Sequence, residues 1–442
     1  MRSGLRGKAE DHRHLLTGSA ALVVTAAITA ASGALYWLLA ARSDDQTDVG
    51  HATALYTSAL FVGFVAGFGQ TVAAARYAAG RERDDHVLFT WGALLVSVGS
   101  VVAGLVFAGV VHPDAVDELI DWLGALGVLA FAVIAAGAAL ALLLDVRLMT
   151  QRRWGLVIAR AGAVAVVRFP LLYLVPSHDR AAWLFVVAAL PNALSGFLGF
   201  LALPRVTGGA HHLGPRPATT PAWRHYSLVN WASTLAYQGP TFAMPVIVLV
   251  NVDADHNASF YVAWGVASLA CFVPMAIGQA LLSEGGRDDA QLRNQVRITL
   301  LLTTALMIVG TLVVTLGRDV LVTLYGNDYQ QAADILPRLV AASIPWAITS
   351  VYLTEARVLH RNIATVAITV SLSVAILIPA LVLVPNHGLD GAANAFLAGN
   401  LVAALVAIVV HFLHDRSTAV PEVLPLHEGG IDPVDTTTLG LA

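Results

Sequence analysis

An arginine lies inside one of the most apolar stretches of this chain. Arg168 stands in Val166-Val167-Arg168-Phe169-Pro170, past the middle of a long hydrophobic run. A charge near the middle of a bilayer costs at least about 2.5 kcal/mol on insertion scales, so it needs a carboxylate, water or an anionic ligand. A planar guanidinium matches the oxygens of a phosphate. Two roles for Arg168 therefore fit the sequence: contact with a pyrophosphate group, or a structural hydrogen bond to helix ends or polar neighbours.

A second group of polar residues occupies another apolar run. Asn230, Tyr237 and Gln238 precede two prolines, Pro240 and Pro245. Polar side chains together with prolines predict an irregular helix that faces a cavity. These side chains are candidates for contacts with a polar substrate, and hydrogen bonds between helices fit them equally well.

Two acid-x-arginine triplets end two other apolar runs. They are Asp145-Val146-Arg147 and Glu355-Ala356-Arg357. Their charges are candidates for salt bridges that close a gate or pair two lobes, with structural locking of loops as the alternative. Arg76 ends a further run, where it either points into a cytoplasmic mouth or anchors the helix at the membrane surface.

Signatures of catalysis are absent from the sequence. It contains no Walker A motif, no glycine-rich dinucleotide turn, no His-Glu-x-x-His and no nucleophile elbow. The single cysteine, Cys271, excludes a disulfide framework and a multi-cysteine metal site. Loops of only about 20 residues are too short for the catalytic loop of a membrane-embedded glycosyltransferase or polymerase. We therefore expect no enzyme, cofactor, metal site or nucleic-acid partner.

The elements that must position these residues are membrane-spanning helices. Hydrophobic residues make up 57% of the 442 positions and charged residues 12%, about half the usual share for a soluble protein. A transmembrane helix needs roughly 20 apolar residues. Such runs predict an all-α integral membrane protein with spans at 15–41, 51–75, 87–111, 120–144, 155–176, 181–203, 225–250, 258–282, 298–316, 334–355, 363–385 and 391–413.

The distribution of arginine predicts the orientation of these spans. Basic residues gather at the N-terminus, in the even-numbered connections and just after the last span: Arg2, Arg6, Lys8, Arg13, Arg81, Arg83, Arg147, Arg152, Arg153, Arg205, Arg216, Arg287, Arg293, Arg297, Arg357, Arg361 and Arg416. The odd-numbered connections are mainly acidic. By the positive-inside rule, both termini are cytoplasmic and the protein is a multi-pass plasma-membrane protein.

An internal repeat divides the spans into two halves. Gly69-Gln70 and Gly278-Gln279 are separated by 278 − 69 = 209 residues, and Asp145 and Glu355 by 355 − 145 = 210 residues. The repeat predicts parallel six-helix lobes with a cleft between them. The expected boundaries are a cytoplasmic N-terminus (1–14), two lobes (15–203 and 223–414), a proline-rich linker (204–222) and a disordered cytoplasmic tail (415–442).

Several stretches resemble one transporter family. They are Asp48-Val49-Gly50 at the start of the second span, Gly69-Gln70 and Arg76-Tyr77 after it, Phe260-Tyr261, Pro274 and Gly278-Gln279-Ala280, and the segment from Leu324 to Pro337. The chain resembles the polysaccharide flippases of the multidrug/oligosaccharidyl-lipid/polysaccharide exporter (MOP) superfamily through residue 414.

That resemblance implies a flippase for undecaprenyl-linked oligosaccharides in cell-surface polysaccharide synthesis. Arg168 would then contact the pyrophosphate, and Arg76 would point into the cytoplasmic mouth of the cavity. Asn230, Tyr237 and Gln238 would contact the sugar hydroxyls. Glycosyltransferases or a polymerase of the same pathway are possible partners. Two alternatives remain: a cation-coupled multidrug exporter of the same superfamily, which would need intramembrane carboxylates, and a non-transporting scaffold of an envelope-polysaccharide complex.

Overall fold

The protein consists of long helices joined by short connections. A computed structural model describes residues 2–77, 83–207, 211, 214, 220–284, 289–359 and 361–416. Every regular element in these ranges is helical: α1 Arg2–Ser43, α2 Gln46–Val65, α3 Gln70–Tyr77, α4 Arg83–Val106, α5 Ala115–Leu123, α6 Ala125–Thr150, α7 Trp154–Leu172, α8 Arg180–Thr207, α9 Thr220–Leu249, α10 Ala254–Glu284, α11 Asp289–Leu316, α12 Arg318–Tyr325, α13 Gln330–Ala341, α14 Ser343–Val358 and α15 Asn362–Arg416. A π-helical turn, Phe107–Val111, continues α4, and a 3₁₀ turn, Asn327–Tyr329, precedes α13.

All twelve predicted spans fall on these helices. The second span is broken into α2 and α3, and the tenth comprises α13 and α14. The last two spans form one long element, α15, which turns sharply at Gly388, where φ is 54°. The predicted all-helical fold is therefore confirmed.

Eight stretches of the described chain are long and apolar enough to cross a membrane, and they account for nine of the predicted spans. They are Val24–Ser43, Asp85–Val111, Ala125–Thr150, Trp154–Leu172, Arg180–Val206, Asn294–Leu316, Asn327–Val358 and the 52-residue Asn362–Leu413, which holds two spans. The remaining spans are α2 with α3, α9 and α10. These three spans contact one another where the two halves of the chain meet.

Helix packing defines two lobes. In the first half, α6 packs against α4 and α8, α7 packs against α1, and α2 packs against α8. In the second half, α14 packs against α15, α10 and α11, and α15 against α9. The halves meet where α2 contacts α9 and α10, and where α3 contacts α9. The lobes thus share one central seam.

The backbone repeats between the lobes. The starts of α2 and α10 are 254 − 46 = 208 residues apart, and those of α7 and α15 are 362 − 154 = 208 residues apart. Left-handed backbone recurs at Asp179 (φ 50°) and Gly388 (φ 54°), an offset of 388 − 179 = 209 residues. Helix breaks at equivalent positions agree with the offset that the sequence predicts.

The expected domain boundaries stay predictions, and helices extend into several of them. The first helix begins at Arg2, so residues 2–14 are helical. Helices extend into both ends of the predicted 204–222 linker, because α8 continues to Thr207 and α9 begins at Thr220. The tail beyond Arg416 lies outside the described residues. For orientation, we call the Gln70 end of the seam, which the arginine pattern predicts to be cytoplasmic, the inner end, and the Gln46 end the outer end.

Candidate functional site: a central cavity between the lobes

A cavity of about 330 Å³ lies at the seam. It is enclosed by α2 from the first lobe and by α9, α10 and α14 from the second. Its described lining is Thr57, Leu60, Gln238, Thr241, Phe242, Pro245, Tyr261, Trp264, Gly265, Ser268, Cys271 and Trp346. Because both lobes contribute walls, a rocking motion of one lobe against the other would change its access.

The walls combine aromatic rings with hydroxyl and amide groups. Trp264, Trp346 and Tyr261 supply broad ring surfaces, while Gln238 and Thr241 supply hydrogen-bonding groups. None of the described lining residues carries a charge at neutral pH. Ligand sites in proteins have this general composition, with apolar and aromatic walls and a few oriented polar groups. Gln238 therefore lies where the sequence predicts a polar, cavity-facing residue.

Tyr237, the neighbour of Gln238, lies behind this wall. Its ring is buried and stacks on Trp346 with centroids 5.4 Å apart. The guanidinium carbon of Arg357 lies 5.3 Å from the centroid of the same tyrosine ring. Arg357 thus places a positive charge behind the Tyr237–Trp346 pair through a cation–π contact. It forms this contact within the second lobe and does not pair with Glu355.

Arg168 stands behind the opposite wall. Its side chain is buried at 6% exposure, and its guanidinium carbon lies 5.6 Å from the ring centroid of Tyr36. Tyr36 contacts Trp37, which in turn contacts the cavity residue Tyr261 at 5.4 Å between centroids. The arginine is therefore separated from the cavity by an aromatic layer. Within the described chain, its buried Nε atom has no hydrogen-bond partner, and its contact with the Tyr36 ring is a cation–π contact.

Asn230 and Arg76 are not part of the described lining. The Asn230 amide donates a 2.8 Å hydrogen bond to the Tyr226 carbonyl within α9, on a half-buried face. Arg76 belongs to the inner helix α3, and its side chain lies outside the described residues. Direct substrate contact remains a prediction for both.

Asp145 belongs to a charged network inside the first lobe. Its carboxylate accepts two hydrogen bonds from Arg160, one of them 2.8 Å from Nε. The same guanidinium donates to Asn192 and Ser195, each at 2.9 Å. These contacts join α6, α7 and α8 into one unit. Arg160 was not singled out from the sequence. It lies eight residues before Arg168 in the same apolar run, so the rule that an intramembrane charge needs a partner could have identified it.

The remaining gate candidates also have contacts within one lobe. Arg147 is fully buried, with its guanidinium carbon 5.4 Å from the Phe89 ring centroid. None of its side-chain nitrogens has a hydrogen-bond partner in the described part of the chain. Glu355 pairs with His411 on α15 at 2.7 Å. In this conformation the two acid-x-arginine triplets brace their own lobes, and the described contacts between lobes are made by other residues.

The outer end of the seam is closed by polar contacts, which we call the outer lock. Gln46 donates 3.0 Å hydrogen bonds to the Asp255 carbonyl and to the Ser259 hydroxyl, and Asn257 donates one of 3.0 Å to the Gly50 carbonyl. Gly50 is required for this approach, because a Cβ atom there would lie 1.9 Å from the Ala254 carbonyl oxygen. The helices α2 and α10 thus touch backbone to backbone.

The inner end is closed by a second set, which we call the inner lock. Gln70 donates to the Ser227 hydroxyl at 2.8 Å and accepts from the Trp223 indole at 2.9 Å. Gly69, with φ 66°, fits against α9 because a Cβ atom there would lie 2.2 Å from the Ser227 carbonyl oxygen. The helix break between α2 and α3 therefore presents Gln70 across the seam. The Gly-Gln pair that signals the repeat in sequence is a contact between lobes in space.

Comparisons with known proteins agree on the fold. No protein-family model matches the sequence, and no curated protein matches it. Among solved structures, the chain resembles an inward-facing multidrug resistance MATE family transporter of the MOP superfamily at 15% identity, with a TM-score of 0.67 over 89% of this chain and 96% of that one. It resembles the lipid II flippase MurJ in an inward closed conformation at 12% identity, with a TM-score of 0.71 over 88% of this chain and 87% of that one.

A third similar structure is a MOP superfamily transporter from Pyrococcus furiosus, described as having a binding pocket of reversed polarity that suggests a different function. It is 14% identical, with a TM-score of 0.55 over 91% of this chain and 95% of that one. The chain is thus a multi-pass membrane protein with the fold of a transporter. More narrowly, it has the MOP-superfamily transporter fold, as the sequence resemblance predicts.

Proposed function

We propose that this protein translocates a polyprenyl-pyrophosphate-linked oligosaccharide across the plasma membrane by alternating access between its two lobes. One observation carries the proposal. The central cavity has aromatic and hydroxyl-bearing walls without a carboxylate in its described lining, and the arginines behind it are cationic. This combination suits a sugar headgroup attached to an anionic carrier.

The walls suit sugar rings for a simple chemical reason. A sugar has apolar C–H faces and a rim of hydroxyl groups, so it packs on indole and phenol rings and hydrogen-bonds at its edge. Trp264 and Trp346 provide the ring surfaces, and Gln238 and Thr241 provide the edge groups. The position of Gln238 in the cavity wall supports the proposed contact of this residue with sugar hydroxyls.

The two buried arginines favour an anion in or near the cavity. Arg168 lies behind the Tyr36–Trp37–Tyr261 layer, and Arg357 lies behind Tyr237 and Trp346. In a medium of low dielectric constant, a charge acts across such distances more strongly than it does in water. The pyrophosphate is therefore stabilised by the field of the arginines while the sugars contact the rings.

A cation-coupled multidrug exporter is the second candidate, and the aromatic walls favour it as well, because flat drugs also stack on tryptophan. Such an exporter needs an acidic partner for its cationic substrate. The two acids that end apolar runs, Asp145 and Glu355, are paired with Arg160 and His411 inside their own lobes. This pairing favours the flippase.

Transport in purified proteoliposomes separates the candidates. We expect translocation of a fluorescent lipid-linked oligosaccharide and no gradient-driven export of a cationic dye such as ethidium. Dye export without oligosaccharide movement would support the exporter. A folded protein that moves neither would fit the scaffold.

Residue substitutions test the cavity itself. Trp264→Ala should slow oligosaccharide translocation roughly two- to tenfold, since an aromatic contact contributes about 0.5–1.5 kcal/mol beyond area burial. Trp122→Ala is the matched control, because Trp122 contacts Trp183 in the first lobe and is not a cavity residue. Arg168→Ala should abolish complementation of a flippase-deficient strain while the protein still reaches the membrane, and Arg168→Lys should restore part of it. Normal export by Arg168→Ala would remove the arginine from the mechanism.

A further inference from the structure

A second, larger cavity opens between the lobes toward the lipid. Its volume is about 620 Å³, and it lies between α3 and α4 of the first lobe and α9 of the second. It is separate from the central cavity, because the described linings of the two cavities share no residue. We call it the lateral groove.

The wall of the lateral groove is hydrocarbon-facing. Leu94, Leu95 and Val98 on α4 are 43%, 47% and 54% exposed, and Leu228 on α9 is 51% exposed. In a helix that spans the membrane, exposed leucine and valine side chains contact acyl chains. The groove is therefore a lipid-accessible depression rather than a water-filled one.

The length of the groove matches one leaflet. Its lining on α4 runs from Leu88 to Val98, a rise of ten residue steps or about 15 Å at 1.5 Å per step. The hydrocarbon core of a bilayer is about 30 Å thick, so each leaflet contributes about half of that. An acyl chain of a single leaflet would occupy the groove along its full length.

The end of the groove at the predicted cytoplasmic surface carries a positive charge. Arg224, in the first turns of α9, is exposed and belongs to the lining, and the described lining contains no carboxylate. A guanidinium at this level meets the phosphate of a lipid headgroup whose chain lies in the groove. We propose that the lateral groove is a binding site for an anionic glycerophospholipid of the inner leaflet, with the headgroup on Arg224 and a chain along Leu94, Leu95 and Val98.

A lipid in this site would also act on the seam. The groove is lined by Gln70, Trp223 and Ser227 of the inner lock, and its walls come from both lobes. A ligand that binds one conformation better than another shifts the population toward the first. The lipid therefore stabilises the conformation in which the inner end is closed.

The site is tested by lipid binding to the purified full-length protein, followed by native mass spectrometry and thermal unfolding in nanodiscs. We expect phosphatidylglycerol to be retained more strongly than phosphatidylcholine and to raise the unfolding temperature. Arg224→Ala should weaken that preference roughly fivefold, as expected for loss of one basic residue beside an anionic lipid surface. Leu95→Trp, which fills the groove and leaves Arg224 intact, should abolish retention.

Two control variants make the test specific. Arg153→Ala removes an exposed arginine on the same predicted side, and Leu201→Trp alters an exposed leucine on α8; neither residue lines the groove. Both should bind phosphatidylglycerol as the unmodified protein does. Equal retention of the two phospholipids, or undiminished retention in Leu95→Trp, would overturn the site. Stronger retention of a polyprenyl phosphate than of phosphatidylglycerol would overturn the choice of ligand and assign the groove to the carrier lipid. Because the readout is binding, it is independent of whether the protein proves to be a flippase.

Discussion

The inner lock gives a prediction whose size follows from its hydrogen bonds. Gln70 is 4% exposed and joins the lobes through one bond to Ser227 and one from Trp223. Gln70→Leu keeps the approximate size of the side chain and removes both bonds. A typical hydrogen bond contributes about 1 kcal/mol net, so the closed state loses about 2 kcal/mol. Since each 1.4 kcal/mol is tenfold, the population open at the inner end should rise roughly 30-fold.

The single cysteine of the chain reports this opening. Cys271 lines the central cavity on α10, 17 residues or about 26 Å along the helix from its outer start at Ala254. In inside-out vesicles, a polar maleimide approaches Cys271 from the inner end, so labelling should become faster when that end opens. We expect labelling of Cys271 to accelerate up to about 30-fold in Gln70→Leu, the limit set by the two lost hydrogen bonds.

A matched substitution distinguishes opening from general loosening. Asn400 is a fully buried amide whose described hydrogen bond goes to the Phe396 carbonyl of its own helix. Asn400→Leu removes an amide of similar burial without touching the seam, so it should leave the labelling rate near that of the unmodified protein. If Gln70→Leu labels no faster than Asn400→Leu while both remain folded, the inner lock does not hold the lobes together.

Two further predictions concern charges. Arg160→Ala leaves the Asp145 carboxylate buried without its partner, which should lower the free energy of unfolding by about 3–5 kcal/mol. The double variant Arg160→Gln with Asp145→Asn should recover part of this loss. Thermal unfolding in detergent measures both variants, and an unchanged melting temperature in Arg160→Ala would refute the bracing role. Burial, together with Glu118, Asp44 and Asp45, raises the pKa of Asp48, which precedes the second predicted span. Because the pKa of Asp48 is higher in the folded protein than in the unfolded chain, the free energy of unfolding is greatest below the unfolded-state pKa. It decreases as the pH rises through the folded-state pKa. Asp48→Asn should therefore raise the melting temperature at pH 7, and this gain should disappear on acidification below the ordinary range of an aspartate; a destabilised variant at pH 7 would contradict the sign.

The elements of the fold were predictable because they depend on local composition. A run of about 20 apolar residues must be helical in a bilayer, where every backbone amide needs an internal partner. Arg168 was predictable as a residue of interest because charged side chains are rare inside apolar membrane-spanning runs. The repeat was readable because short motifs such as Gly69-Gln70 recur at a constant offset.

The partners of individual charges were not predictable. Asp145 lies two residues from Arg147 in sequence, yet it pairs with Arg160 on the next helix. On a helix, residues two apart point in different directions, so proximity in sequence did not imply contact. His411 reaches Glu355 from 56 positions away, a separation at which no local pattern exists.

The sequence alone therefore determined the class of the molecule: a two-lobed helical membrane protein with an unusual intramembrane arginine, since hydropathy and repeat offsets are properties of the chain itself. The tertiary structure decided which residues form the cavity and where the charges lie. Packing of α7 against α1 placed Arg168 behind Tyr36, and packing of α14 against α10 brought Arg357 behind Tyr237 of α9. Those placements depend on how distant helices pack, because a buried cation lies against whichever ring or carboxylate the neighbouring helix presents.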